Sequence, residues 1–252
     1  MKLLQSCVAV GAAACVSPAF AQATVKPDGL WHASATLGAS HVGGNAKSSS
    51  LSLAGDALKL TADDRWAVYG NMINAKAAGN RTADLARLGT RYDRNIDVNW
   101  FGFGLGELER NKLANLDARA WLGGGVGRHL IRNDTTTFDL FGGLGYAYDD
   151  YGTAAFVADR TRSTYGRIEG LLGEESTHKL TATTNFKQRL VIYPNLSDRG
   201  EFRAAFDAGL SVAMSTRLAL TLTLGARYNS DPGNGLKNTD TVFITGITYK
   251  YD

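Results

Sequence analysis

Histidine is the residue in this sequence best suited to acid–base chemistry, and it occurs at His32, His41, His129 and His178. A histidine that activates a serine, with an acid or amide to orient the imidazole, is the arrangement that nucleophilic hydrolysis requires. Only His41 is suitably placed, near a predicted outer loop with Ser40 and 48–50 close by, but Gly43 and Gly44 stand two residues after it, where a polar partner would be needed. We interpret His41 as a solvated loop residue. No catalytic residue is predicted, and the protein is not expected to be an enzyme.

Two polar stretches carry the carboxylates and amides that Ca²⁺ prefers as ligands. They contain Asp149, Asp150 and Asp159 in one case, and Asp231, Asn234 and Asp240 in the other. Neither stretch has the spacing of a known calcium loop, and no glycine cluster is followed by the Gly-Lys-Ser/Thr of a phosphate loop. The sequence therefore predicts no metal site and no cofactor.

The first 21 residues are typical of a secretory signal peptide. Lys2 supplies a positive charge, residues 3–16 are mostly apolar, and Ala19-Phe20-Ala21 precedes Gln22 as a small-x-small cleavage site. A lipoprotein anchored through Cys15 is the alternative, but residues 12–14 are all alanine and lack the bulky residue expected there. Since Cys7 and Cys15 both lie in residues 1–21, the mature chain, 22–252, is expected to contain no thiol.

The charge balance excludes nucleic acid as the expected partner. The chain has 27 basic and 24 acidic residues, and removal of Lys2 with the signal peptide leaves 26 against 24, a net charge of +2. After the signal peptide no apolar run is long enough for a membrane-spanning helix. A strand that crosses a bilayer has no long apolar run, because only every second residue faces lipid, so this test does not detect membrane β-barrels.

From Trp31 onwards the sequence alternates between apolar and polar or small residues, which is the period-2 pattern of strands. We predict about twelve strands of the length that a tilted strand needs to cross a membrane. They lie near 31–41, 48–60, 65–75, 83–93, 98–110, 117–130, 136–148, 163–172, 178–193, 201–214, 218–229 and 239–251. A secreted β-sandwich would alternate too.

The connections between these segments alternate in length. Those at 42–47, 76–82, 111–116, 149–162, 194–200 and 230–238 are longer, and those at 61–64, 94–97, 131–135, 173–177 and 215–217 are mostly shorter. Long outer loops and short periplasmic turns are typical of bacterial outer-membrane barrels. Aromatic residues near the segment ends suggest two girdles. The sequence thus predicts an all-β, antiparallel transmembrane β-barrel in the outer membrane, with both termini in the periplasm.

One stretch, from Asn99 to Tyr148, suggests an unusual inner wall. If Phe101, Phe103, Leu105 and the other apolar residues of that stretch face lipid, the opposite parity forms a glycine strip inside the barrel. The strip would consist of Gly102, Gly104, Gly106, Gly123, Gly125, Gly127, Gly143 and Gly145. Glycine weakens strands, so eight on one face require a reason. Our hypothesis is that the strip makes room for an inward-folded loop, 149–162, or for long arginines of the opposite wall; relief of curvature is the alternative.

Charged residues also recur in mid-strand on the face predicted to line the lumen. The candidates are Arg87, Arg91, Asp117, Arg119, Arg167, Glu169, Arg203, Asp207 and Arg227. Unpaired arginines would favour the passage of anions. If each arginine pairs with a neighbouring acid, the same residues would plug the lumen. Both interpretations stay open at this point.

Several short motifs are similar to those of the YdiY-like family, a family of unknown function described as salt-induced outer-membrane proteins. They are TLGASHVGGN at 36–45, WFGFG at 100–104, ELERNKLANLDAR at 107–119, GGGVG at 123–127, ARYNS at 226–230 and KNTDT at 237–241. The resemblance implies an outer-membrane location and a barrel. It supplies no catalytic residues and no substrate.

Three functional hypotheses follow. The first is a narrow pore for small solutes with a weak preference for anions, and the second is a non-conducting structural or stress-response barrel whose outer loops bind a partner. An outer-membrane lipid hydrolase is the third and most remote. The expected partners are outer-membrane lipid, the outer-membrane assembly machinery and, for a pore, small solutes.

Overall fold

The computed structural model describes residues 27–42, 48–233 and 235–251, and for residues 40–42 it describes the backbone alone. The predicted signal peptide and the side chain of His41 lie outside this part of the chain. No helix within the described ranges is long and apolar enough to span a membrane.

Twelve antiparallel strands form one closed sheet, in which each strand pairs with its sequence neighbours. The barrel closes where β1 pairs with β12, with Ala33 opposite Tyr251 and Leu37 opposite Ile247. The strands are β1 Trp31–Val42, β2 Ser48–Leu60, β3 Asp64–Ala77, β4 Asn80–Asn95, β5 Trp100–Asn111, β6 Leu116–Arg132, β7 Thr136–Val157, β8 Arg160–Lys179, β9 Thr184–Pro194, β10 Phe202–Ala213, β11 Leu218–Asn229 and β12 Thr239–Tyr251. The predicted antiparallel barrel of about twelve strands is confirmed.

The two faces of the sheet have opposite chemistry. Along β4, Arg87 and Arg91 are buried whereas Leu88 and Tyr92 are exposed, as the two-residue period of a strand requires. The buried face is the interior of the barrel, because Arg65 on β3 reaches Glu175 on β8 at 3.0 Å. A charged interior inside an apolar outer face is the reverse of a soluble β-sandwich and is typical of membrane barrels.

Aromatic side chains mark the rims of the outer face. At the end where β1 begins, the ring of Trp66 on β3 lies 5.8 Å from that of Trp31 on β1 and 6.3 Å from that of Tyr92 on β4. At the other end Phe202 stacks on Tyr228 at 5.1 Å. Tyr193, near the same end, is 7 % exposed and points into the barrel, so it is not part of the outer rim. Rings at the ends of strands suit the interface between lipid tails and water.

The stretch 149–162 is not a loop. It continues β7 and β8 as a hairpin that ends in a tight turn at Ala158 and Asp159, whose φ angles are 48° and 57°. Positive φ at both central residues is typical of the two-residue turns whose twist matches that of paired strands. The hypothesis that this segment folds into the lumen as a loop is therefore wrong.

The turn between β8 and β9 lies further along the chain than the sequence predicted. It occupies 180–183 rather than 173–177, so that Glu174 and Glu175 belong to β8. Two adjacent acids after Gly173 resemble a turn, but Glu175 faces the interior and is held there by basic partners from other strands. Ion pairing inside the barrel explains this difference.

Candidate functional site

Two carboxylates bind three arginines in the half of the interior away from the chain termini, in what we call the outer cluster. Arg119 donates to both oxygens of Asp149 at 2.6 and 2.7 Å, and Arg167 donates to the same residue at 2.8 Å. Arg167 also donates to Glu169 at 2.7 Å, and Arg203 donates to both Glu169 oxygens at 3.0 and 2.6 Å. The cluster joins strands β6, β7, β8 and β10.

Burial makes the outer cluster a rigid unit. Asp149 and Glu169 are each 1 % exposed. An isolated charge at such a position would be very costly, but each carboxylate here accepts several charge-assisted hydrogen bonds. Removing one member would leave its partners buried and unpaired. These five side chains therefore cross-link the wall of the barrel from within.

A central cluster lies nearer the end where β1 begins and is built around Glu175. This carboxylate lies 3.0 Å from Arg65 and 3.2 Å from Lys187, with Arg91 at 3.9 Å and Arg189 at 3.8 Å. Arg91 also donates to Asp93 at 2.7 Å. Glu175 is on β8 and its partners come from β3, β4 and β9, so the cluster spans a large part of the lumen.

Two further ion pairs lie in the interior. Arg87 pairs with Glu107 at 2.5 Å, and Tyr69 donates to the same carboxylate at 2.8 Å. Arg227 pairs with Asp207 at 2.7 Å. Of the two arrangements that the sequence left open, a ladder of ion pairs describes the placement of these side chains better than a wall of free arginines.

Phenylalanine rings fill the space beside the central cluster. Phe101, Phe103 and Phe141 are 2 to 7 % exposed, and the guanidinium of Arg91 lies 4.9 Å from the Phe103 ring and 4.6 Å from the Phe141 ring. A cation over an aromatic face is stabilised when both are shielded from water. This aromatic layer, Phe101, Phe103 and Phe141, packs apolar volume into the lumen.

The strip of inward-facing glycines on β6 and β7 accommodates these rings. A Cβ on Gly127 would overlap the ring of Phe101, which is opposite it in register, and a Cβ on Gly145 would overlap the ring of Trp121. At Gly125 a Cβ would meet the backbone of β7. Neither the 149–162 segment nor an arginine of the opposite wall occupies this space. Close packing of local aromatic rings is the reason for the glycines at Gly123, Gly127 and Gly145, and close approach of the β6 and β7 backbones is the reason for Gly125 and Gly143.

The other three predicted members of the strip face the opposite way. Gly102, Gly104 and Gly106 lie on the outer surface of β5, because Phe101, Phe103 and Leu105 are 2, 7 and 3 % exposed and fill the interior. The prediction that the apolar parity of β5 faces lipid is therefore wrong. A signal for the right register was present, since Glu107 and Glu109 share the parity of the phenylalanines.

Most of the residues predicted to line the lumen do so. Eight of the nine point into the barrel and take part in the ion pairs described above, and they are Arg87, Arg91, Arg119, Arg167, Glu169, Arg203, Asp207 and Arg227. Asp117 lies at the rim, where the strand register shifts, and it pairs with Lys112 of the neighbouring turn. It belongs to the loop region rather than to the lumen.

Several interior residues were missed by the sequence analysis. Glu175 was placed in a turn, and Trp121 was not considered as a partner, although its indole N–H donates to Glu169 at 3.1 Å. Arg65 was placed at the first residue of a strand and was not included among the lumen charges. Alternation shows which face a residue is on, but it carries no information about partners on distant strands.

Two cavities lie on either side of the central cluster and the aromatic layer, which together we call the filled section. The outer vestibule, of about 310 Å³, is lined by residues that include Arg87, Glu109, Arg119, Trp121, Tyr193, Arg203, Arg227 and Asp240. The second cavity, of about 350 Å³, lies at the end where β1 begins and is lined by residues that include Arg65, Asp93, Phe101, His129 and Asp139. The two share no lining residue, and the central cluster and aromatic layer lie between them.

A hydrogen-bonded network joins Tyr165 on β8 to the segment between β9 and β10, beside the outer vestibule. Asn195 donates to the Tyr165 hydroxyl at 2.8 Å and to Glu201 at 2.9 Å, and Tyr165 donates to Asp198. Burial raises the pKa of Glu201, and the nearby carboxylates of Asp231 and Asp198 act in the same direction.

Each histidine whose side chain the structure describes contacts a neighbouring polar side chain. His129 contacts Asp139 at 2.7 Å through Nδ1 and Asn95 at 3.3 Å through Nε2, so that both nitrogens are occupied without a serine. His32 contacts Asp28, and His178 contacts Ser176. Among the residues that the structure describes, no group of histidine, cysteine and acidic side chains is arranged to hold a metal ion.

Residues 35–251 match a family model described as "Protein of unknown function, DUF481". The chain belongs to the DUF481 family. A comparison with curated proteins found no match to this DUF481 chain.

Among solved structures, the DUF481 barrel is similar to the COG4313 outer membrane channel from Pseudomonas putida F1, at 12% identity and a TM-score of 0.51, over 91% of this chain and 97% of that one. It is also similar to the NanC porin, at 13% identity and a TM-score of 0.50, over 86% of this chain and 100% of that one. At these identities the likeness concerns the fold, an outer-membrane type of β-barrel.

Proposed function

We propose that this DUF481 protein is an outer-membrane barrel that does not conduct ions in its resting state. The lining of its outer vestibule is its functional surface. The observation that carries the proposal is the filled section between the two cavities. There, Glu175 and its basic partners have side chains that are 6 to 25 % exposed, and the phenylalanines of the aromatic layer are buried. An ion crossing this section would have to displace paired charges in a low-dielectric interior, which is strongly unfavourable.

Conductance in a planar bilayer tests the proposal. We expect the purified barrel to insert without a steady conductance. Replacing Phe141 with alanine removes a ring of the aromatic layer that packs 5.7 Å from Phe103 and 4.6 Å from the Arg91 guanidinium, and this variant should show intermittent openings. Phe243→Ala is the matched control, because Phe243 is 66% exposed on the outer face. A steady, open conductance of the unmodified protein would refute the resting closure.

A narrow pore with a weak preference for anions is the second candidate, in which the filled section acts as a gate. It is favoured by the position of Arg119, Arg203 and Arg227, which all line the outer vestibule. If the gate opens, Arg119→Glu and Arg227→Glu should each move the reversal potential toward cation preference in a salt gradient. Unchanged reversal potentials in a conducting sample would count against a pore lined by these residues.

We infer that the mature protein begins at Gln22, lies in the outer membrane with both termini in the periplasm, and is inserted by the outer-membrane assembly machinery. The apolar outer face and the aromatic rims support this inference. The similarity to the YdiY-like family adds the proposal that the protein is made in response to salt. Fractionation of cells grown at low and high salt, followed by gels of heated and unheated samples, tests both points.

A further inference from the structure

An apolar groove of about 700 Å³ crosses the outer face of β1 to β6. Its floor consists of small residues in direct register, with Ala35 opposite Gly55 and Gly55 opposite Gly70. Longer apolar side chains form its rim, and they are Leu53, Met72, Leu88 and Leu108. The groove therefore lies on the surface that the barrel turns toward lipid.

Packing within the barrel does not require the glycine at position 55. A Cβ on Gly55 would meet one atom, the Ser34 carbonyl oxygen, at the ordinary contact distance of 3.5 Å. At Gly70 the nearest atoms would be the Arg87 carbonyl oxygen at 3.3 Å and Leu88 at 3.4 Å. This differs from Gly145, where a Cβ would overlap an indole ring. The missing side chains at Gly55 and Gly70 thus leave space on the outside rather than inside.

An exposed arginine lies at one end of the groove. Arg110 is the second-to-last residue of β5, and its Cα is paired with that of Ala86. Among the described residues no carboxylate lies within ion-pair distance of Arg110, and the nearby Asp117 is paired with Lys112. A cation on the lipid-facing surface is costly unless it reaches the headgroup region and an anion there. Lys76, near the end of β3, adds a second exposed cation at the same end of the barrel.

We propose that this groove binds lipid A of the outer leaflet, with an acyl chain over Gly55 and Gly70 and a phosphate on Arg110. The proposal rests on the outer-membrane location and orientation inferred above, which place the end of β5 at the outer leaflet. An acyl chain gains apolar contact in a groove of this kind, and a guanidinium pairs well with a phosphate. Lipid A carries both groups, and a phosphate-bearing headgroup distinguishes it from uncharged detergent.

Native mass spectrometry of the barrel in mild detergent, titrated with lipid A or with phosphatidylglycerol, tests the assignment. We expect Arg110→Glu to weaken lipid A binding about tenfold, the effect of losing one charge-assisted hydrogen bond. Arg217→Glu makes the same charge change in the turn between β10 and β11, at the opposite end, and should leave binding unchanged. Gly70→Leu should fill the groove and weaken binding, whereas Gly104→Leu, on the outer face of β5, should not.

Three results would overturn the proposal: equal loss in Arg110→Glu and Arg217→Glu, no loss in Gly70→Leu, or tighter binding of phosphatidylglycerol than of lipid A. The last would indicate that the groove faces the inner leaflet or is not selective. None of these variants touches the filled section of the lumen. Conductance measured on the same samples therefore shows separately whether the resting closure holds.

Discussion

Trp121 on β6 donates its indole N–H to Glu169 on β8 at 3.1 Å, across the intervening strand β7. The contact is possible because β7 carries Gly145 beneath the indole ring, where any Cβ would collide with it. Glu169 in turn accepts from Arg167 and Arg203. An apolar ring, a glycine and a buried ion cluster thus depend on one another.

The first prediction concerns the stability of the outer cluster. Glu169→Gln should destabilise the barrel by about 3 kcal/mol or more, because it removes the counter-charge of Arg203 and leaves Arg167 paired with Asp149 alone. Urea unfolding followed by tryptophan fluorescence measures the loss. Asp117→Asn is the control, since Asp117 pairs with Lys112 in a solvent-exposed turn and should cost less than about 1 kcal/mol. Equal effects of the two changes would contradict a buried cluster.

The second prediction tests which face each glycine is on. Gly145→Leu should destabilise the barrel by about 1–3 kcal/mol, because the added side chain must displace Trp121. Gly104→Leu should be tolerated, since an added Cβ there has no atom within 4 Å. Heat modifiability on gels reports folding of both variants. If Gly104→Leu unfolds the barrel and Gly145→Leu does not, the register of β5 and β7 described here is wrong.

The third prediction concerns orientation. Cys7 and Cys15 are the cysteines of the sequence, and both lie in the predicted signal peptide, so a single introduced cysteine can be labelled selectively. On intact cells a membrane-impermeant maleimide should label Lys237→Cys, between β11 and β12, and should not label Thr216→Cys, between β10 and β11. Labelling of both after lysis is the control. The opposite pattern on intact cells would place the termini outside.

The fourth prediction concerns pH. The pKa of Glu201 is raised in the folded protein, so the folded state holds the proton more tightly than the unfolded chain does, and ionisation of this carboxyl opposes folding. Glu201→Gln should therefore raise the unfolding temperature near neutral pH. The gain should fade as the pH drops and vanish below about 4.3, the ordinary glutamate pKa. A gain that does not depend on pH would point to side-chain shape instead of charge.

The sequence by itself determined the class of fold and most strand positions. Alternating residues such as Leu218, Leu220 and Leu222 against Thr221 and Thr223 require a strand with two unlike faces, and an even number of such strands favours a closed barrel. The side of the sheet on which a charge lies also follows from parity, which is why Arg119, Glu169 and Arg227 were located on the inner face. These are local properties that a two-residue period encodes directly.

Only the tertiary structure decided what the inner face does. Whether Arg119 stands free or binds Asp149 depends on the register between β6 and β7, and the pairing of Glu175 with Arg65 depends on how the closed sheet brings β8 and β3 to face each other. For β5, the phenylalanines alone could not say which face points inward, since lipid and a packed interior both accept phenylalanine, although Glu107 and Glu109 on the same parity favoured the interior. Long-range packing inside the closed barrel decided that the phenylalanine face of β5 points inward, and these rings fill part of the lumen.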